Sequence, residues 1–197
     1  MNPDTLRARL MQIAAEPLIS TVVYGEEVMG QLEKSPIPAA VLVPVILGPR
    51  PSILLTKRTS HLKKHAGQVS FPGGRIDKED AHPEAAALRE AEEEIALDPA
   101  RVEVIGRMSD YVTGTGYRIT PVLGLLPPGL VYQPSPDEVE FVFELSIEVL
   151  LDPDAPQRQY REVLGRSREY WVWPHPEHFI WGATAAILVH LAGKLRG

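Results

Sequence analysis

Phe71-Pro72-Gly73-Gly74, followed after a short acidic loop by Leu88-Arg89-Glu90-Ala91-Glu92-Glu93-Glu94-Ile95, decides the reading of this chain. A glycine turn feeds a helix whose carboxylates fall on one face. At about 100° per residue, Glu90 and Glu94 lie about 40° apart, with Glu93 about 60° to the other side of Glu90. Glu92 points away. Acidic runs on helices are usually solvated faces stabilised by a nearby lysine or by the helix dipole. Here no lysine follows within a turn, and the glycines stand at a short, fixed distance upstream. Converging anions of this kind suit a hard divalent cation, which prefers carboxylate oxygens and shares its shell with substrate phosphates.

Working outward, residues 39–47 and 52–58 are two β-rich runs joined by Gly48-Pro49-Arg50-Pro51, which predicts a hairpin. The acidic loop at 75–82 gives way to a helix over 82–95, with Pro83 in its first turn and Glu84 at its positive end. Residues 4–15 carry Leu6, Leu10, Ile13 and Ala14 at helical spacing. Residues 17–37 read as irregular, 102–108 and 117–126 as strands, and 110–116 as a polar loop between them. Residues 127–137 are proline-rich and expected on the surface. A strand over 138–145, a short helix over 146–151, a late hairpin around Val163 and 169–173, and a closing helix over 180–192 complete the order. The expected organisation is one domain over 1–197, with its core at about 38–193.

The chain has 197 residues, enough to bury roughly 70% of its unfolded surface without covalent staples. With 44% hydrophobic and 23% charged residues it has an ordinary globular composition. A formal charge of −6 argues against broad nucleic-acid binding. An anionic substrate would need local positive charge. Lys57, Arg58, Lys63 and Lys64, with His61 and His65 among them, supply it within nine residues. The chain has no cysteine, which excludes disulfides and thiol nucleophiles. No apolar run is long enough to span a bilayer, and the N-terminal residues lack a signal-peptide core, so a cytoplasmic protein is expected.

Residues 74–97 resemble the Nudix box, G-x5-E-x7-R-E-U-x-E-E-x-G-U with U aliphatic. Arg89-Glu90, Ala91, Glu93-Glu94 and Leu97 match it. Asp80 stands for the first glutamate, one residue further from Arg89 than the pattern has it, and Ala96 replaces the late glycine. Immediately upstream, Leu54-Leu55-Thr56-Lys57-Arg58-Thr59, Lys63, Gly67 and Phe71-Pro72-Gly73-Gly74 resemble the second motif of the coenzyme A (CoA) pyrophosphatase branch. Thr59 stands for Ser or Ala, and Lys63 for an arginine. Lys63 keeps the charge but loses the planar fork that binds phosphate at two points. The likeness runs from about residue 39 to about residue 191.

The resemblance implies an α/β (α+β) fold, an α/β/α sandwich with a mixed central sheet and a loop–helix–loop catalytic motif. It implies Mg²⁺- or Mn²⁺-dependent hydrolysis of the diphosphate of CoA or its thioesters. Metal ligands would be Glu90, Glu93 and Glu94, with Glu93, Glu94 and Glu138 catalytic and Glu138 as a candidate base. Arg58, Lys63, Gly67, Phe71, Gly73 and Gly74 would meet the substrate. Glu140 competes with Glu138, sharing its strand face if the run is extended. Arg89 reads as structural, able to pair with Glu93. Trp171, Trp173 and Trp181 read as core or interface residues. The partner expected is a small molecule, with neither nucleic acid nor membrane, and the superfamily allows a homodimer. Other readings are another nucleoside diphosphate derivative such as ADP-ribose, a nucleoside triphosphate, or a binding protein on the same scaffold.

Overall fold

The computed structural model describes residues 1–16, 23–24, 35–62, 65–163, 166–173 and 175–197. Lys63 and Lys64, and most of the segment 17–37, lie outside them. The central sheet contains β1 (Val23–Tyr24), β2 (Ile37–Ile46), β3 (Ser52–Arg58), β4 (Val69–Ser70), β5 (Gly73–Arg75), β6 (Glu103–Arg107), β7 (Tyr111–Val112), β8 (Tyr117–Leu126) and β9 (Val139–Ser146). Its spine runs β1-β7-β8-β2-β3-β4, with β5 on β2, β6 on β8 and β9 on β3. The long central pair β2 and β8 is parallel, from Ile37 beside Tyr117 to Ile46 beside Leu126. β2–β3 and β3–β9 are antiparallel, so the sheet is mixed, as expected.

Side-chain alternation divides the core into two layers. Ala40, Leu42, Ile46 and Leu54 pack with Ala86, Ala87, Ala91 and Ile95 of α2 (Pro83–Ile95). Val43, Val45, Ile53 and Leu55 face the other way. There they meet Leu6, Leu10 and Ile13 of α1 (Pro3–Ala15), Leu150 of α3 (Ile147–Leu151) and Leu188 and Leu191 of α4 (Gly182–Arg196). The parity of β3 therefore carries Leu54, Thr56 and Arg58 toward α2, and Lys57 toward the opposite layer. That parity places the site.

Local chemistry sets the ends of α2. His82 Nδ1 accepts the amide of Ala85, Pro83 follows at the first turn, and Glu84 pairs with Arg107 of β6. At the far end Ala96 adopts φ 54°, ψ 36°, the left-handed conformation that glycine adopts without strain. The proline-rich stretch docks on that end. The amides of Gln133 and Ser135 donate to the carbonyls of Ile95 (3.0 Å) and Glu94 (2.8 Å), groups the helix leaves unpaired.

A second sheet joins β10 (Gln157–Val163), β11 (Arg166–Trp173) and β12 (Ile180–Trp181). The late hairpin is therefore present. Three expectations need correction. Segment 17–37, read as irregular, contains β1, whose Val23 and Tyr24 pair in parallel with Tyr111 and Val112. The loop 110–116 contains the short strand β7, which pairs with β8 through Tyr111 beside Ile119. The closing helix starts two residues later than its apolar pattern, because Ile180 and Trp181 pair with β11.

Candidate active site

Parity brings Arg58 from β3 across to α2. Its Nη1 donates to Glu94 Oε1 at 3.1 Å, and its Nη2 lies 3.7 Å from Glu138 Oε2. The second oxygen of Glu94 accepts the backbone amide of Gly73 at 3.2 Å. Glu94 is only 2% exposed. Burial pushes its carboxyl up to about 7, opposed by Arg58 and the Gly73 amide and reinforced by the charges of Glu90 and Glu138. Glu90 is also raised by burial, against the pull of Arg89 and with the push of Glu93 and Glu138. Glu90, Glu94 and Glu138 thus share an anionic field.

The two glycines do different work. A Cβ on Gly73, at φ 153°, would lie 2.4 Å from the Ala40 carbonyl oxygen and 2.6 Å from Val41 Cα. Backbone cannot yield there. A Cβ on Gly74 would fall 2.4–2.5 Å from the carboxylate of Glu90. Gly74 leaves the space in which that carboxylate sits.

Arg89 is a clamp. It grips Asp80 with two nitrogens (3.1 and 2.9 Å), donates to the Arg75 carbonyl at 3.1 Å, and reaches Glu90 at 2.9 Å and Glu93 at 3.4 Å. Its grip holds the Asp80 carboxyl below the usual carboxylate range. The expected pairing with Glu93 is thus the longest of its hydrogen bonds, with Asp77 further off at 3.7 Å. The flexible arginine stem also bends to Glu90, which helical angles alone set apart. Asp80, read as a departure from the box, is the clamp's main partner.

Glu138 and Glu140 do not share a face. The β3–β9 register shifts between Lys57 and Arg58, so that Lys57 pairs with Phe141 and Arg58 with Val139. Glu138 accordingly meets Arg58, while Glu140 pairs with Lys57 at 3.3 Å. Thr59, a residue whose role the motif pattern did not signal, secures the loop. Its amide donates to the Glu138 carbonyl (3.0 Å) and its hydroxyl to that of Asp137 (3.3 Å).

Arg58, Gly73, Gly74, Glu90, Glu94 and Glu138 are therefore gathered. Glu93 stands at the margin, its side chain 57% exposed. Phe71 is buried in the core, and Gly67 closes a turn through its amide to the Thr59 carbonyl at 3.3 Å. Trp173 is core, as read, but Trp171 and Trp181 line a cavity beside the glycine turn. Among the described residues no three acidic or histidine side chains cluster closely enough to hold a metal as they stand. Arg58 sits between Glu94 and Glu138 in that role. The donor set nonetheless fits a hard divalent ion: oxygen ligands only, mutually repelling, one buried at a cost that positive charge relieves.

The NUDIX domain model matches residues 36–181. The chain is 49% identical over 156 residues to the uncharacterized Nudix hydrolase NudL of Escherichia coli, covering 78% of this chain and 80% of that protein. The same identity and coverage hold for the NudL of Shigella boydii serotype 4. Among solved structures, a MutT/nudix family protein from Enterococcus faecalis aligns with a TM-score of 0.50 at 15% identity, over 79% of this chain and 60% of that one. No helix among the described residues is long and apolar enough to cross a membrane. The match spans both the acidic helix and the cavity wall at Trp181, and it places the chain in the Nudix hydrolase family.

Proposed function

We propose that this Nudix hydrolase cleaves the diphosphate of CoA or a CoA derivative, giving 3′,5′-ADP and 4′-phosphopantetheine or its acylated form. The observation that carries the reading is the contact of Arg58 with Glu94 at 3.1 Å. It joins the arginine of the upstream Leu54-Leu55-Thr56-Lys57-Arg58 motif to the last carboxylate of the box, so the two motifs work as one site. Glu90, Glu93 and Glu94 would hold Mg²⁺ or Mn²⁺. Such an ion, when bound, neutralises diphosphate charge and makes water a better nucleophile.

The chain's own groups account for the rest. Arg58 is placed to exchange its carboxylate partners for a phosphate, with a fork suited to two-point contact. Gly74 leaves room for the Glu90 carboxylate beside the diphosphate, and the Gly73 amide holds Glu94. A water oxygen attacks one phosphorus, the bridging oxygen leaves with the electron pair, and Glu138 accepts the proton of the water.

Mass spectrometry after incubation with CoA and Mg²⁺ or Mn²⁺, beside Glu94→Gln, tests the reading. The expected products are 3′,5′-ADP and 4′-phosphopantetheine, absent with the variant. Intact CoA in the presence of folded, metal-supplied protein would reject CoA as substrate, and ADP-ribose and nucleoside triphosphates would be tried next.

A further inference from the structure

Beside the glycine turn, on the face of the sheet away from α2, lies a cavity of about 590 Å³. That is within the range of sites that enclose a whole small ligand, and larger than a diphosphate needs. Arg58, Gly73 and Gly74 lie in its wall, so it opens onto the candidate active site. Aromatic rings stand along one side. Trp181 meets Tyr170 edge-on at 5.7 Å, and Arg75 caps Tyr117 through its hydroxyl at 3.3 Å. Following Trp181 in the chain, α4 lines the cavity from Gly182 to His190, roughly 12 Å of helix at 1.5 Å per residue. Thr184 pins this helix, its hydroxyl donating to the Val69 carbonyl at 3.0 Å.

The wall that α4 contributes carries no lysine, arginine, aspartate or glutamate. Ala183 and Ala186 face the space with small side chains, and Ile187 adds apolar surface. An ionised group moved against such a wall loses water and gains no counter-charge. The charged groups of the lining, Arg58, Arg75 and Glu169, all come from strands, so the α4 side suits the uncharged end of a CoA-type substrate. The nucleotide end bears a 3′-phosphate, whereas the pantetheine end is neutral and chain-like. His190 closes the far end of this wall, with its Nε2 buried away from the space.

We infer that the chamber between β11, β12 and α4 receives the pantetheine arm and an apolar acyl tail, with Ala183 and Ala186 setting the tail length accepted. The inference rests on the CoA reading and goes beyond it: acyl thioesters are better substrates than the free thiol. Each methylene that becomes fully buried contributes about fourfold in kcat/KM.

The test measures 3′,5′-ADP release from CoA and from butyryl-, hexanoyl- and octanoyl-CoA, using the wild-type chain and Ala186→Phe. The expected result is a kcat/KM that climbs along the wild-type series, with the octanoyl-to-free ratio reduced about tenfold or more by the phenylalanine. Ala183→Phe provides a second variant should the first fold poorly, and the wild-type series needs neither. A flat wild-type series, or variants that lower every substrate alike, would overturn the assignment of the chamber while leaving CoA hydrolysis standing. Failure to cleave any CoA form would instead remove the parent reading, and the tail assignment with it.

Discussion

Arg58 and Glu94 meet at 3.1 Å across the gap between β3 and α2, the arginine largely buried and the glutamate almost wholly so. The pair joins strand to helix and supplies the only nearby cation that the described contacts give Glu94. Replacing Arg58 by alanine leaves Glu94 buried with only the Gly73 amide. The expected loss is roughly 2–3 kcal/mol of stability in urea unfolding at pH 8 without metal, with a drop of about 100-fold or more in kcat/KM. Arg58→Lys should recover stability better than activity, since an ammonium restores charge without the planar fork.

Glu94 gives the metal-free protein a definite pH dependence. Its carboxyl is raised from 4.5 to about 7 in the folded chain, chiefly by burial. A raised value means that the folded state binds the proton more tightly than the unfolded state does. The associated stability is fully present below pH 4.5 and is lost as pH rises through 7. At about 1.4 kcal/mol per tenfold change in proton affinity, the loss is roughly 3 kcal/mol. Thermal unfolding in chelator should show a falling Tm between pH 5 and 8, recovered by Mg²⁺ or Mn²⁺. Glu94→Gln should flatten the profile; an unchanged slope in that variant would assign the effect to another group.

Ala96 holds a left-handed conformation at φ 54°, where a Cβ is strained. Ala96→Gly should raise stability by about 1 kcal/mol in chemical denaturation, with kcat unchanged. The Nudix pattern has glycine at this position, and the observed dihedral supplies the physical reason.

Gly73 and Gly74 should respond differently to the same added methyl. In Gly74→Ala the clash is with the movable Glu90 carboxylate, so the fold should persist while kcat falls about 100-fold through displacement of that group. In Gly73→Ala the clash is with the backbone of β2, so soluble expression or Tm should suffer first. Equal Tm losses in the two variants would contradict this division.

Most of the fold was legible in the sequence because apolar periodicity and terminal residues agreed: Pro83 opens α2, and the β2–β3 hairpin follows its proline-glycine turn. The motif residues also led to Arg58, Gly74, Glu90 and Glu94. Tertiary geometry supplied what the sequence could not. The bulge between Lys57 and Arg58 separates Glu138 from Glu140, although alternation alone would have kept them together. The hold of Arg89 on Asp80 depends on how the acidic loop folds back. Trp171 and Trp181 have the same chemistry as the buried Trp173, and only the tertiary structure sets the first two beside the cavity.

The amide of Ser135 is bonded to the backbone carbonyl of Glu94, the same residue whose side chain faces Arg58, and Glu138 lies one turn further on. The two carboxylates that bracket Arg58 therefore ride on a single lever, with the end of α2 as its fulcrum. A residue inserted near Val131, which is widely exposed, would be absorbed as slack. An insertion between Ser135 and Glu138 would swing one carboxylate away from the other, uncoupling them without touching either.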